Sequence, residues 1–268
     1  MDILSYGFMQ NAIIASILAS VACGIIGSLV VVNRIVFISG GIAHTAYGGI
    51  GLAFFLGISP LLGAGVFAVV AALIMAYITK NDKHRSDTVI GAMWAFGMAI
   101  GIILIDLTPG YNVDLMSYLF GSILSVPMAD LIYMGVLDGV IVLYILKWYR
   151  QIHAVSFDAD FATSMGVKSD LIYASMLVMS ALAVVLLIRV VGLILIISML
   201  TIPPYIAERR SNSLKGMMIY STIFSLIFSL VGLFMSYTFN LTSGASIISV
   251  SAVCFFLSII YDRVKSIK

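Results

Sequence analysis

Apolar residues run in long blocks along this chain, and polar residues are confined to short intervals between the blocks. A helix that crosses the hydrocarbon core of a bilayer needs ~20 mostly apolar residues. On that measure the pattern predicts nine spans, near 11–33, 36–56, 60–79, 88–107, 127–146, 171–189, 190–206, 216–236 and 245–261. No polar interval separates the sixth from the seventh, so a count of eight stays open. The stretch 117–124, SYLFGSIL, is a candidate half-helix. The blocks are spread evenly, which predicts one continuous all-α polytopic bundle, a single transmembrane domain over 1–268.

Composition agrees with the pattern. The chain is 62% hydrophobic and 10% charged, with a mean hydropathy of +1.16. Soluble domains are roughly 45–50% apolar and about 25% charged. The basic residues are scattered over short loops and form no stripe, which excludes a nucleic-acid partner. Cys23 and Cys254 both lie in apolar runs outside any CxxC pattern and read as small core residues. The first apolar stretch has no basic segment before it and is expected to be a retained helix. With the spans alternating from an external N-terminus, 13 of the 14 Lys and Arg residues fall on one side, Arg189 being the exception. The positive-inside rule makes that side, and the C-terminus, cytoplasmic. The loops left outside, 59–60, 108–117 and 236–244, are too short for a receptor domain, so external capture of a substrate needs a separate protein.

Five ionisable residues fall within or at the ends of spans: His44, Asp106, Asp130, Asp138 and Arg189. Asp106, Asp130 and Arg189 lie near predicted outer ends. Asp138 lies midway along the fifth span, where a carboxylate is costly and must face the bundle interior or a wet cavity. It is either a protonated acid bonded to a neighbouring hydroxyl or a ligand on an ion path. His44 lies in the inner half of the second span, in SGGIAHTAYGG. It is either a hydrogen-bonded interior histidine or a metal contact, since imidazole suits zinc, iron and nickel. His84 and His153 fall in basic loops. Glycines such as Gly48, Gly49, Gly51, Gly97 and Gly101 predict close helix contacts. Pro203 and Pro204 remove two backbone donors near the end of the seventh span, which marks either a plain terminus or a broken helix lining a path. There is no phosphate-binding loop, HExxH, paired CxxC or GxSxG run, so the chain is not expected to be an enzyme, and an ATP motor would be another chain.

The loop between Lys147 and Asp170 contains FDADFATSMGV, 157–167, which predicts a short helix. Asp158 or Asp160 caps its start and Gly166 ends it. Phe157, Phe161 and Met165 recur every four residues and make an apolar stripe, suited to docking a cytoplasmic partner or to lying on the membrane surface.

Six segments in order, VVNRIVFISGGIAHTAYGGIGLAF, SDTVIGAMWAFGMAIGIIL, SYLFGSILSV, FDADFATSMGV, VGLILIISMLTIPPYIA and SYTFNLTSGASIISV, resemble the membrane permeases of prokaryotic ABC importers for zinc, manganese and iron. The resemblance spans nearly the whole chain. It implies a type II importer bundle in the prokaryotic cell (inner) membrane, built as a pair of permeases. Separate ATPase subunits would sit beneath, and an extracytoplasmic receptor would deliver the metal. It makes 157–167 the coupling helix, with Phe157, Asp158, Phe161, Met165 and Gly166 meeting the ATPase, and Pro203 and Pro204 a gating break. No cofactor is permanently bound; the metal is cargo. Family members carry Asp-x-x-x-His in the second span. Here His44 fits the histidine, but Gly40 stands at the carboxylate position, and Asp138 is a candidate substitute. A proton-coupled secondary metal transporter, a type II permease for a non-metal cofactor and an intramembrane enzyme are the alternatives.

Overall fold

A computed structural model describes residues 6–81, 86–108, 119–193 and 196–267. Most of the loops expected at 80–87 (with His84) and 108–117 lie outside these residues, as do the first two residues of the half-helix expected at 117–124. Ten α-helices are described, beginning with α1 (Gly7–Val32), α2 (Val36–Leu56), α3 (Pro60–Asn81) and α4 (Ser86–Asp106). After a 3-10 turn at Ile123–Ser125 come α5 (Met128–Phe157), α6 (Ala159–Ser164), α7 (Ser169–Val190), α8 (Ile196–Glu208), α9 (Leu214–Phe239) and α10 (Ser243–Ile267). No strand occurs among the described residues.

Eight of these helices, all except α6 and α8, are long and apolar enough to cross a membrane. The expected seventh span, 190–206, is corrected. The chain breaks at Val191–Leu193, with Gly192 at φ +84°, and α8 then has 13 residues. At 1.5 Å per residue that is about 20 Å, short of the ~30 Å hydrocarbon core. Pro203 and Pro204 lie inside α8, which runs on to Glu208, so the break precedes the prolines. Pro204 has no N–H for the carbonyl of Leu200, four residues back. That carbonyl faces Gly27 of α1, where an added methyl group would lie 2.8 Å from it. Gly121, at φ +70°, packs its backbone on that of Gly192, so the turn before α5 braces the break between α7 and α8.

A second difference concerns α5. The expected span ended at residue 146, but the helix continues to Phe157, 30 residues and about 45 Å in all. Lys147, Arg150 and His153 made this extension read as loop. Ile152 and Val155, fully and nearly buried, give it an apolar face that packs on the bundle.

Helix α2 is the most enclosed of the candidate spans and the least hydropathic. It packs against α3, α4, α7 and α8. Small residues make this possible, since lipid offers no hydrophobic drive between helices and close backbone approach supplies the packing. Gly49 meets Gly63 of α3 backbone to backbone, and Gly51 meets Gly101 of α4 in the same way. On the other flank, α1 packs against α5, α8 and α9, and α9 packs against α10. Helix α7 touches both α1 and α3 and joins the two groups.

The basic residues gather at one end. Lys80 at the end of α3 pairs with Asp170 at the start of α7 at 2.8 Å. Arg209, just past α8, pairs with Asp262 of α10 at 3.1 Å. Arg34, in the turn between α1 and α2, borders a cavity of about 690 Å³ with Lys80 and Asp170 and a second hollow with Tyr205. The first cavity has two cationic groups in its lining and is not built for a metal cation.

Candidate metal-passage site

His44 is 5% exposed, on the enclosed helix α2. Its ring stacks on Trp94 of α4, with centroids 3.7 Å apart and planes 12° from parallel. Its Nδ1 lies 3.2 Å from Sδ of Met98, one turn further along α4. The neighbouring Thr45 hydroxyl donates to the carbonyl of Gly41 at 2.8 Å and reaches that of Met93 at 3.2 Å, which fastens α2 to α4. The imidazole orientation is therefore set by one helix. With the proton on Nδ1 and donated to the thioether, Nε2 carries the free lone pair, the form in which histidine binds a metal.

Gly40, one turn before His44, faces α8. A methyl group added there would lie 2.7 Å from Cδ1 of Ile197. The space where an Asp-x-x-x-His pair would place its carboxylate is filled by an isoleucine tip. Among the described residues, no three His, Cys, Asp or Glu side chains converge as a metal cage.

Asp138 lies elsewhere. It is 5% exposed, on α5. Helices α2 and α5 share no extensive contact, so the two residues have separate surroundings. Trp94 and Met98 escaped sequence reasoning. Their spacing of four residues puts them on one face of α4, but only the packing of α4 on α2 reveals what that face meets.

The expected docking helix is α6, shorter than 157–167. Asp158 caps it, accepting from the backbone N–H of Phe161 at 2.8 Å. Gly166, at φ +83°, ends it, with the N–H of Val167 bonded to Ala162 at 3.0 Å. Ala162 is buried, and Ser169 donates to the carbonyl of Ala159 at 3.0 Å, which holds the helix against α7. Phe157, Phe161 and Met165 are 61–70% exposed. His153 is in the α5 extension, its ring 4.8 Å from that of Phe157.

These features describe a multi-pass helical membrane protein with a sparse polar site on an enclosed helix and a short helix with exposed apolar side chains at its basic end. The chain belongs to the ABC 3 transport family, whose model matches residues 5–262. It is 48% identical over 260 residues to an uncharacterized membrane protein of Synechocystis sp., a match covering 97% of this chain and 92% of that protein. It is 35% identical to the manganese import system permease protein ScaB of Streptococcus gordonii, over 94% of this chain and 91% of that protein. Its fold matches PsaBC from Streptococcus pneumoniae, solved in complex with Fab, with a TM-score of 0.86 at 34% identity, covering 95% of this chain and 91% of that one.

Proposed function

We propose that this protein is the membrane permease subunit of an ATP-driven importer that moves a divalent transition metal into the bacterial cytoplasm. The observation that carries the reading is membership of an ABC transport family along nearly the whole chain. The likeness to ScaB, a manganese import permease, makes manganese the first metal to test, with zinc and iron next. In this reading two copies pair across the membrane, ATPase subunits bind at the basic end, and a receptor hands over the metal at the other. The metal passes His44 and is held there briefly by few ligands, because a transit site must also release. Closure of the ATPases reaches the bundle through α6, with Phe157, Phe161 and Met165 seated in the partner and Asp158 and Gly166 shaping the helix. The break at Gly192 and the proline-bearing α8 beside Gly27 and Gly40 are where the path opens and closes.

The test is uptake of radioactive manganese, with zinc and iron as competitors, in cells expressing this permease with its partners. His44→Ala, expressed at the normal level, is expected to cut uptake at least about tenfold, the scale on which loss of groups around a metal acts. Loss of the ATPase is expected to abolish uptake. Uptake that survives without the ATPase would instead favour a proton-coupled secondary transporter.

A further inference from the structure

The cavity of about 690 Å³ at the basic end is lined without His44, and metal passage gives it no task. Its walls are the turn between α1 and α2, the last part of α3, and the starts of α6 and α7. Arg34 stands in that turn in a left-handed conformation, φ +58°. Glycine or asparagine would adopt this conformation at lower cost, so the turn alone calls for no arginine. Arg34 is exposed, and among the described residues its guanidinium has no ion-pair or hydrogen-bond partner. Lys80, by contrast, is paired with Asp170 at 2.8 Å. Arg34 and Lys80 against Asp170 leave the lining with one net positive charge. Thr79 and Ser169, also in the lining, give their hydroxyls to the carbonyls of Met75 and Ala159, at 2.7 and 3.0 Å. The free donor capacity at the mouth is therefore cationic.

The wall along α3 points to what that charge meets. Leu73, Tyr77 and Lys80 follow at spacings of four and three residues, so they share one face of the helix. Leu73 is 52% and Tyr77 71% exposed. On a helix long and apolar enough to cross the membrane, an exposed apolar face meets lipid. Toward the basic end the order is aliphatic, aromatic, cationic. The same order runs along a phospholipid from acyl chain to ester region to phosphate. Tyrosine favours the interface, and lysine reaches past it to the headgroups. A guanidinium grips phosphate oxygens with two parallel hydrogen bonds. Basic pockets between membrane helices on the cytoplasmic side suit anionic headgroups.

We propose that this cavity binds the headgroup of an anionic phospholipid, with Arg34 on the phosphate, Lys80 as the second cation and an acyl chain along Leu73 and Tyr77. The site requires a membrane protein with this basic end; it does not depend on what that protein transports.

The experiment is native mass spectrometry of the purified full-length protein in detergent, offered phosphatidylglycerol and phosphatidylcholine at equal concentration. Phosphatidylglycerol is expected to be retained in preference. Arg34→Asn, which suits the left-handed turn, should weaken its binding about fivefold, the effect of one charge near a membrane surface. Asp170→Asn should strengthen it by about the same factor, because it removes the anion and frees Lys80. Damage to the fold would weaken both variants, so the opposite signs are the signature of the site. Arg209→Ala removes an equal charge outside the cavity and should leave retention unchanged. Glycerol phosphate in large excess should not displace the lipid. If Arg34→Asn yields no monodisperse protein, the sign of the Asp170→Asn effect decides. Equal retention of phosphatidylcholine, displacement by glycerol phosphate, unchanged binding by Arg34→Asn or weaker binding by Asp170→Asn would overturn the proposal. So would lipid held by single chains but excluded from a self-associated pair, which would make this face an interface between copies.

Discussion

Position 40 shows how one side chain can be lost and its space reused. A carboxylate there would share a helix face with His44, four residues on. The chain has glycine instead, and Ile197 fills the gap. The contact is with the far end of a flexible side chain, so Gly40→Asp is sterically possible once Ile197 is shortened. In the double variant Gly40→Asp, Ile197→Ala, a carboxylate joins the imidazole, and a second anionic donor should hold the metal longer. The expected result is a fall in the manganese concentration for half-maximal uptake together with a fall in maximal rate, since tighter ligation slows release. Ile197→Ala alone should change neither. If the double variant matches the unaltered protein in both, Gly40 does not face the metal path. At this scale the sequence disclosed His44 and Asp138 because each is an ionisable group in an apolar run. It did not disclose Ile197, Trp94 or Met98, because apolar side chains in apolar helices carry no mark of what they touch.

The elements were legible where the local signals were strong. Helix α2 begins and ends where the apolar pattern does, at Val36 and Leu56. The cap at Asp158 and the left-handed stop at Gly166 could be read from FDADFATSMGV, because both rest on local backbone chemistry. The extension of α5 and the break before α8 could not. The first is a helix whose charged face looks like a loop, with burial at Ile152 and Val155 supplied by tertiary packing. The second depends on Gly192, one glycine among 23, and its left-handed conformation is defined by the backbone of Gly121 pressed against it. For α6 the expectations divide cleanly. Phe161→Asp places a charge on an exposed side chain and should leave the permease folded while lowering its affinity for the ATPase. Asp158→Ala removes the cap and costs about 1 kcal/mol of local helix stability, so it should weaken the same complex less. Pull-down of the ATPase by the detergent-solubilised permease measures both. Unchanged binding by Phe161→Asp would end the docking role of this helix.

At the scale of the molecule, the half-length of α8 raises the question of sidedness. Eight long spans alone would place the two chain termini on the same side, yet the charge pattern predicts opposite sides. The two agree if the short helix returns the chain to the end where it started α7. Arg209 past α8 pairs with Asp262, and Tyr205 of α8 lines a hollow with Arg34, so the basic residues after α8 share an end with those before α2. The positive-inside rule predicts that the basic end is cytoplasmic, and the proposed docking of an ATPase at α6 requires the same. Single substitutions in a Cys254→Ser background, with Cys23 buried, can decide it through a membrane-impermeant thiol reagent. Leu241→Cys, exposed in the turn between α9 and α10, should label in intact cells. Ser164→Cys, at the end of α6, and Asn212→Cys, between α8 and α9, both at exposed positions, should label only after lysis. Labelling of both in intact cells would invert the molecule and remove α6 from any cytoplasmic partner. Labelling of Asn212→Cys alone would mean that α8 does not return the chain, and the pairing of Arg209 with Asp262 would have to lie on the outer side.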